Sequence, residues 1–348
     1  MRKYKVCVLG HFGKGENLLN GQTVKTKIVT EELQKQLGND QVGVIDTHGG
    51  WRTLFKSPFH AIKSLKTSQN VVIFPANNGV RVYAPLLAFF VRFFKHRKLH
   101  YAVIGGWLPE FLKNRKALSN CLKKFDCIYV ETHTMKTALE QQGFNNIFVM
   151  PNCKKLTRLS EKELVFPAGM PYKLCTFSRV MKEKGIEDAI EAVIRVNSTL
   201  NTEVFSLDIY GQVDENQFEW FCSLKEKFPS YVRYAGVVPF EKSVEVLKKY
   251  FALLFPTYYD GEGFAGTLID AMAAGIPVIA SDWKYNSEIV NDNVGRTYPT
   301  RDVEALVDVL KSSIAEVELF CKIKKLCLAE TEKYEIGRAV KTLIEQLG

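Results

Sequence analysis

PTYYDGEGFAGTLIDAMAAGIPVIASD, residues 256–282, fits three structural elements into one short span. The apolar run 252–257 (ALLFPT) ends here as a strand. A turn with Gly261, Gly263 and Gly266 follows, then an apolar helical pattern that Gly275 closes, then a second strand at 277–281 (PVIAS). Short apolar strands joined through helices are the unit of a parallel, doubly wound sheet. Glycines let backbone approach a ligand, and a helix N-terminus offers free N–H groups and partial positive charge. A phosphate or sugar oxygen would sit well there. Glu262, inside the turn, suits sugar hydroxyls better than phosphate. Read as structure alone, the same stretch is an ordinary connection whose Thr267 and Asp270 form a capping box.

The same alternation runs outward in both directions. Strands are predicted at 172–180, 204–211 and 231–238, with a helix over 186–196 and a helical tail from about 302. Upstream, strands are predicted at 5–10, 41–47, 70–76, 99–106, 127–132 and 146–152, with an amphipathic helix over 22–37. Between the two series, 153–171 is polar, basic and proline-bearing, which suits a linker. The expected organisation is α/β: two Rossmann-like doubly wound domains facing a cleft. The first covers 1–155, a linker 156–171 and the second 172–330. A C-terminal helix, 331–348, crosses back to the first domain. Ligands in such sheets bind beyond the carboxyl ends of the strands.

The chain of 348 residues has room for two such cores. No apolar run reaches the about 20 residues that cross a bilayer. Eight scattered cysteines form no Cys-x-x-Cys pair, so zinc and disulfide frameworks are not expected, and reduced thiols in a cytosolic protein are. Charge is uneven. Residues 1–150 hold 22 Lys and Arg against 9 Asp and Glu, and the remainder holds 25 against 29. A basic first half points to an acidic partner, such as a diphosphate, an anionic membrane surface or nucleic acid. Nucleic acid is disfavoured because no recognition motif accompanies the charge.

A second cluster, SRVMKEKGIEDAIEAV at 178–193, places Arg179 at a strand end and Lys184 just before a helix. Two fixed cations on one loop could neutralise a departing diphosphate. As structure alone they are two surface cations.

Together these residues resemble the retaining glycosyltransferases of sequence family 4, which have the GT-B fold. Glu262-Gly263-Phe264, Asp270 and Gly275-Ile276-Pro277-Val278 resemble that family's "EGFG…EA…G-P-V" block. Arg179 with Lys184-Gly185 resembles "GR…KG" at the same spacing, and Pro151-Asn152 resembles the "PN" closing the first domain. Tyr210-Gly211 and 234–238 (YAGVV) resemble its two nucleotide-side strands. The resemblance spans about 140–300 and is weaker over the first 130 residues. It implies that Arg179 and Lys184 grip the donor diphosphate and that Glu262 holds the sugar hydroxyls. The amides of Gly263, Phe264, Ala265 and Gly266, with Thr267, would support sugar and distal phosphate. Asp270 would contact the ribose, and Gly211 and Val237 would lie on the nucleotide side. It implies no metal and no cofactor. Two departures stand out: Asp270 replaces a glutamate, and 104–110 (IGGWLPE) lacks the family's first-domain histidine. Trp107 and Glu110 are the candidates to replace it on the acceptor side; His11 and His133 qualify only by residue type.

The loop 10–26 (GHFGKGENLLNGQTVKT) is glycine-rich but lacks the dinucleotide order G-x-G-x-x-G. Within the resemblance it borders the cleft, with Gly21 and Gln22 toward the donor and Thr23 toward the acceptor. The segment 84–100 is strongly apolar, then strongly basic. It is either a buried helix with a solvated end or a helix held against an anionic membrane. The expected activity is metal-independent, retaining transfer from a nucleotide-diphosphate sugar, with UDP the expected nucleotide. The acceptor is a hydroxyl of a glycan or of a polyprenyl-diphosphate-linked chain in bacterial surface-polysaccharide synthesis, at the inner face of the plasma membrane. The alternatives are a silent GT-B subunit supporting a partner transferase and a sugar-nucleotide epimerase.

Overall fold

A computed structural model describes residues 4–13, 21–49, 51–155 and 157–348. The chain forms two units, residues 1–155 with 334–348, and residues 156–333. Each holds one six-stranded sheet in which every pairing is parallel.

In the first unit the strands are β1 (Tyr4–Gly10), β2 (Val42–Asp46), β3 (Ser68–Ile73), β4 (Lys98–Ala102), β5 (Cys127–Val130) and β6 (Ile147–Val149), ordered β2-β1-β3-β4-β5-β6. Between them run α1 (Gly21–Leu37), α2 (Trp51–Thr67), α3 (Asn77–Phe90), α4 (Leu108–Leu112), α5 (Lys116–Leu122) and α6 (His133–Glu140). The central strands are apolar and covered on both faces, as a parallel sheet between helices requires. The chain leaves β1 in one direction and β3 in the other, so the topological switch point lies between these two strands.

In the second unit the strands are β7 (Tyr172–Phe177), β8 (Phe205–Tyr210), β9 (Val232–Gly236), β10 (Ala252–Phe255), β11 (Val278–Ser281) and β12 (Gly295–Tyr298), ordered β12-β11-β10-β7-β8-β9. The helices are α7 (Ile186–Thr199), α8 (Phe218–Lys225), α9 (Ser243–Leu247), α10 (Gly266–Ala273), α11 (Asn286–Ile289), α12 (Val303–Ala315) and α13 (Val317–Thr331). Helix α7 buries Ile186, Ala189, Ile190, Val193 and Val196 along one stripe. The Asn197 amide then accepts from the Val204 and Phe205 N–H groups and donates to the Phe205 carbonyl, fixing the turn into β8. Here the switch point lies between β7 and β10.

The tail returns to the first unit as α14 (Ile336–Ala339) and α15 (Lys341–Gln346). Val340 and Leu343 join Val6, Val8 and Val72 in one core, and Asn70 donates to the Leu347 carbonyl at 3.0 Å. Two sequence expectations need correction. The segment 156–171 packs with the second unit instead of standing apart as a linker. Leu159 and Leu164 are buried, and the Leu159 amide donates to the Ala273 carbonyl; two leucines in a polar stretch suffice to anchor it. Strand β12 (GRTY) escaped detection because an edge strand with a single neighbour needs no apolar run.

Candidate active site

At the second unit's switch point the loops after β7 and β10 meet. The loop after β7 contains Arg179 and a 3-10 turn, Lys182–Lys184, that ends on Gly185 in the left-handed region. A Cβ at Gly185 would lie 2.1 Å from the Pro256 carbonyl oxygen, so only glycine lets the two loops touch. The Tyr258 amide donates to the Glu183 carbonyl at 2.8 Å and completes the junction.

That junction brings Lys184 and Glu262 together. Lys184 Nζ donates to Glu262 Oε2, and both side chains are largely buried, 12% and 9% exposed. Thr257 Oγ1 donates to the same oxygen at 2.9 Å, and Thr257 is itself fully buried. Both bonds therefore fall on Oε2, and Oε1 makes no hydrogen bond among the described residues. Lys184 Nζ also lies 4.9 Å from the Tyr259 ring centroid, which helps hold the cation.

Helix α10 starts beside Glu262. Its N-cap is Ala265, whose side chain makes no capping bond, so the predicted Thr267–Asp270 capping box does not form. The cap lies two residues upstream of Thr267, which puts Thr267 inside the first turn. There its Oγ1 is buried and without a partner among the described residues. Uncapped amides and an unpaired hydroxyl thus share one helix end. Asp270 is buried on the same helix, 5% exposed. Phe264 is buried as well, so within 263–266 the backbone is the part a ligand could meet.

Arg179 stands apart from this pair. Its side chain is 62% exposed and reaches Asp214 Oδ2 at 3.4 Å, lining an open pocket with residues 212–216. Gly211, at the end of β8, has φ +137°, and a Cβ there would lie 1.7 Å from the Ser178 carbonyl oxygen. The same absence of a side chain that the family resemblance assigns to the nucleotide lets the β7 and β8 loops pack. Val237 is exposed just beyond β9.

The first unit's strand ends hold a different set. His11 Nδ1 lies 2.8 Å from Thr23 Oγ1, and His11 Nε2 lies 2.8 Å from His48 Nδ1. Asp46 Oδ1 accepts from the Phe12 and His48 amides, tying the loops after β1 and β2. Gln22 donates to the Phe74 carbonyl at the end of β3, and Gly21 opens α1 with no atom of the described residues within 4 Å of where its Cβ would be. Residues 14–20 of this loop lie outside the described residues. His48 was not legible as a partner; the signal was present as "GH" and "DTH" at the ends of two neighbouring strands, 10–11 and 46–48. Trp107 donates to the Ile104 carbonyl and stacks edge-on with Phe111. Glu110 is exposed and paired with Lys113, and His133 is an exposed first residue of α6. Trp107 and Glu110 thus make local contacts at the two ends of α4.

Residues 160–324 match the family model described as glycosyl transferases group 1. A curated relative, the UDP-N-acetylglucosamine–peptide N-acetylglucosaminyltransferase GtfA subunit of Streptococcus agalactiae, is 29% identical over 52% of this chain and 35% of its own length. The chain thus spans about a third of the length of the curated relatives it matches first. Among solved structures, Anabaena HepE in complex with UDP superposes with a TM-score of 0.75 at 15% identity, covering 100% of this chain and 99% of its own. Sucrose-phosphate synthase from Thermosynechococcus elongatus gives 0.73 at 15% identity, covering 98% of each chain. The match takes in nearly all of the second unit, which thus resembles the glycosyl transferases group 1 family, and the two Rossmann-like units are those of the GT-B fold.

Proposed function

We propose that the chain transfers a sugar from a nucleotide-diphosphate sugar to an acceptor hydroxyl, with retention at the anomeric carbon and without a metal. The observation that carries this reading is the split use of Glu262. One carboxylate oxygen is saturated by Lys184 and Thr257, while the other remains open to accept from sugar hydroxyls. Lys184 keeps N–H groups for a phosphate oxygen. The uncapped start of α10, with the Thr267 hydroxyl, adds neutral donors beside it. Arg179 would leave Asp214, a 3.4 Å contact at an exposed site, to meet the diphosphate. Asp270 would take the ribose, and Gly211 and Val237 would flank the base. The relative's name supports UDP as the nucleotide.

In the transfer, the bond from the anomeric carbon to the diphosphate oxygen breaks and a bond to the acceptor oxygen forms on the same face. The acceptor proton passes to the departing diphosphate oxygen. Lys184, Arg179 and the α10 amides stabilise the negative charge that builds there, the task a metal ion performs in other transferases. Acceptors of the glycan or polyprenyl-diphosphate-linked class, as in surface-polysaccharide synthesis, suit the basic first half.

The test has two steps. A panel of nucleotide sugars is screened for a rise in melting temperature. The stabilising donor is then assayed by NMR with chelator present. Product of the donor's own anomeric configuration supports the proposal; inverted product, a chelator-dependent rate or no stabilising donor contradicts it. The relatives are named as a subunit, which favours a second reading in which the chain works with a partner chain. Activity that appears only on adding that partner would establish it. Conversion of the donor without an acceptor would instead indicate an epimerase.

A further inference from the structure

Helices α2 and α3 lie side by side on one face of the first unit's sheet. Both crossovers, β2 to β3 and β3 to β4, run the same way across it, and right-handed connections put their helices on one face. His60 Nδ1 and Tyr83 OH, 3.2 Å apart, join the two helices. The inner face of α3 is buried through Val80, Tyr83, Ala84, Leu87 and Ala88, so the buried-helix reading of this segment holds for that face. The outer surface is unusual. On α2, Phe55, Phe59 and Ile62 recur at helical spacing and are 79%, 64% and 37% exposed. At the end of α3, Phe89 and Phe93 are 48% and 66% exposed, with ring centroids 5.8 Å apart.

The charge of this region is one-sided. From Thr47 to Pro109 the sequence has nine Lys or Arg and no Asp or Glu. Lys56, Lys63 and Lys66 are exposed on α2, as are Arg92 and Lys95 beside the phenylalanines of α3, and none of them meets a carboxylate among the described residues. Burial, then Lys56 and Lys63, lower the pKa of His60. Lysine is depleted in the cores of protein–protein interfaces. Phenylalanine together with unpaired lysine is the composition of surfaces that lie in a lipid headgroup layer. No helix among the described residues is long and apolar enough to cross a membrane.

We propose that the outer face of α2 and the end of α3 dock on an anionic lipid bilayer. The phenylalanines enter the headgroup layer and the lysines and arginines pair with lipid phosphates. This inference rests on the surface alone, so it stands or falls separately from the sugar chemistry.

The test is co-sedimentation of the full chain with vesicles of phosphatidylcholine alone and of phosphatidylcholine mixed equally with phosphatidylglycerol. The chain is expected to sediment with the mixed vesicles only, and less at high salt. Phe59→Ser/Phe93→Ser, with every charge intact, should lose about tenfold in partitioning. Lys63→Glu/Lys66→Glu, with every ring intact, should lose about thirtyfold or more. All four side chains are exposed, so melting temperatures should stay unchanged. No sedimentation with mixed vesicles overturns the proposal, as does binding that survives either double variant. Loss in the lysine variant alone would mean a polyanion site without lipid insertion, and also overturns it.

Discussion

In the first unit the carboxyl edge of the sheet holds a hydrogen-bonded chain, Thr23 to His11 to His48. In the second unit the equivalent edge holds a charged pair, Lys184 and Glu262. The charged pair joins the loops after β7 and β10, the two strands that flank its switch point; the histidine chain starts after β1, which flanks the other switch point, and reaches the loop after β2. One architecture therefore offers the same position twice, and the side chains decide what it can do. A lysine–glutamate pair with one open carboxylate oxygen suits an anion attached to a sugar. A histidine pair sharing one hydrogen bond suits hydroxyl groups.

The units also bury charge differently, and this gives the largest expected effect. Lys25 in the first unit is sealed against Glu131 at 2.5 Å, 3% and 2% exposed. Lys324 in the second unit is 1% exposed and among the described residues donates only to the carbonyls of Tyr250 and Gly275, at 3.2 and 3.4 Å. Lys25→Met leaves a buried carboxylate without its countercharge and should cost about 3–5 kcal/mol in denaturant unfolding. Lys324→Met removes a charge that has no acidic partner among the described residues and should cost clearly less. Equal losses would break the comparison.

Next in size are the glycines. Gly211→Ala drives a Cβ into the Ser178 carbonyl at φ +137° and should cost about 2–3 kcal/mol. Gly21→Ala, at the first residue of α1 with nothing within 4 Å of the new Cβ among the described residues, should gain about 0.5 kcal/mol, chiefly by restricting the unfolded chain. Thermal melts of the two variants should move in opposite directions.

Smaller than the loss at Gly211 is the pH response of Lys324. Burial lowers its pKa to about 8, below the value of the unfolded chain. Between about pH 8 and pH 10 the unfolded chain holds the proton and the folded chain does not, so stability rises with pH over that window. Wild type should gain about 1–2 kcal/mol there relative to Lys324→Met. Parallel pH curves for the two proteins would show that Lys324 titrates normally.

What could be read in advance follows the same division. Both sheets were legible because buried parallel strands must be short apolar runs, as 5–10 and 252–257 are. Lys184 and Glu262 were legible because charge and glycine at fixed spacing mark strand-end loops. The bond that joins them was not, since it depends on Gly185 letting Pro256 approach. Arg179 had been expected to act beside Lys184, and its exposed side chain turns to Asp214 instead. The His11–His48 contact joins residues 37 positions apart, and its one signal, a histidine at the end of each of two strands, becomes readable only once those strands are known to be neighbours. The phenylalanines of α2 were invisible for a simpler reason: an exposed ring and a core ring leave the same letter in a sequence.

The most direct test is calorimetric titration of UDP and of the stabilising nucleotide sugar into wild type, Glu262→Ala and Lys184→Met. Removing Glu262 frees the charge of Lys184, so Glu262→Ala should bind UDP as tightly as wild type or more tightly. It should lose the extra affinity contributed by the sugar, about 1.5–3 kcal/mol for hydrogen bonds to a carboxylate. Lys184→Met should weaken both ligands. If Glu262→Ala keeps the wild-type preference for the nucleotide sugar over UDP, or Lys184→Met leaves UDP affinity intact, the pair is a structural strut and the donor site lies elsewhere.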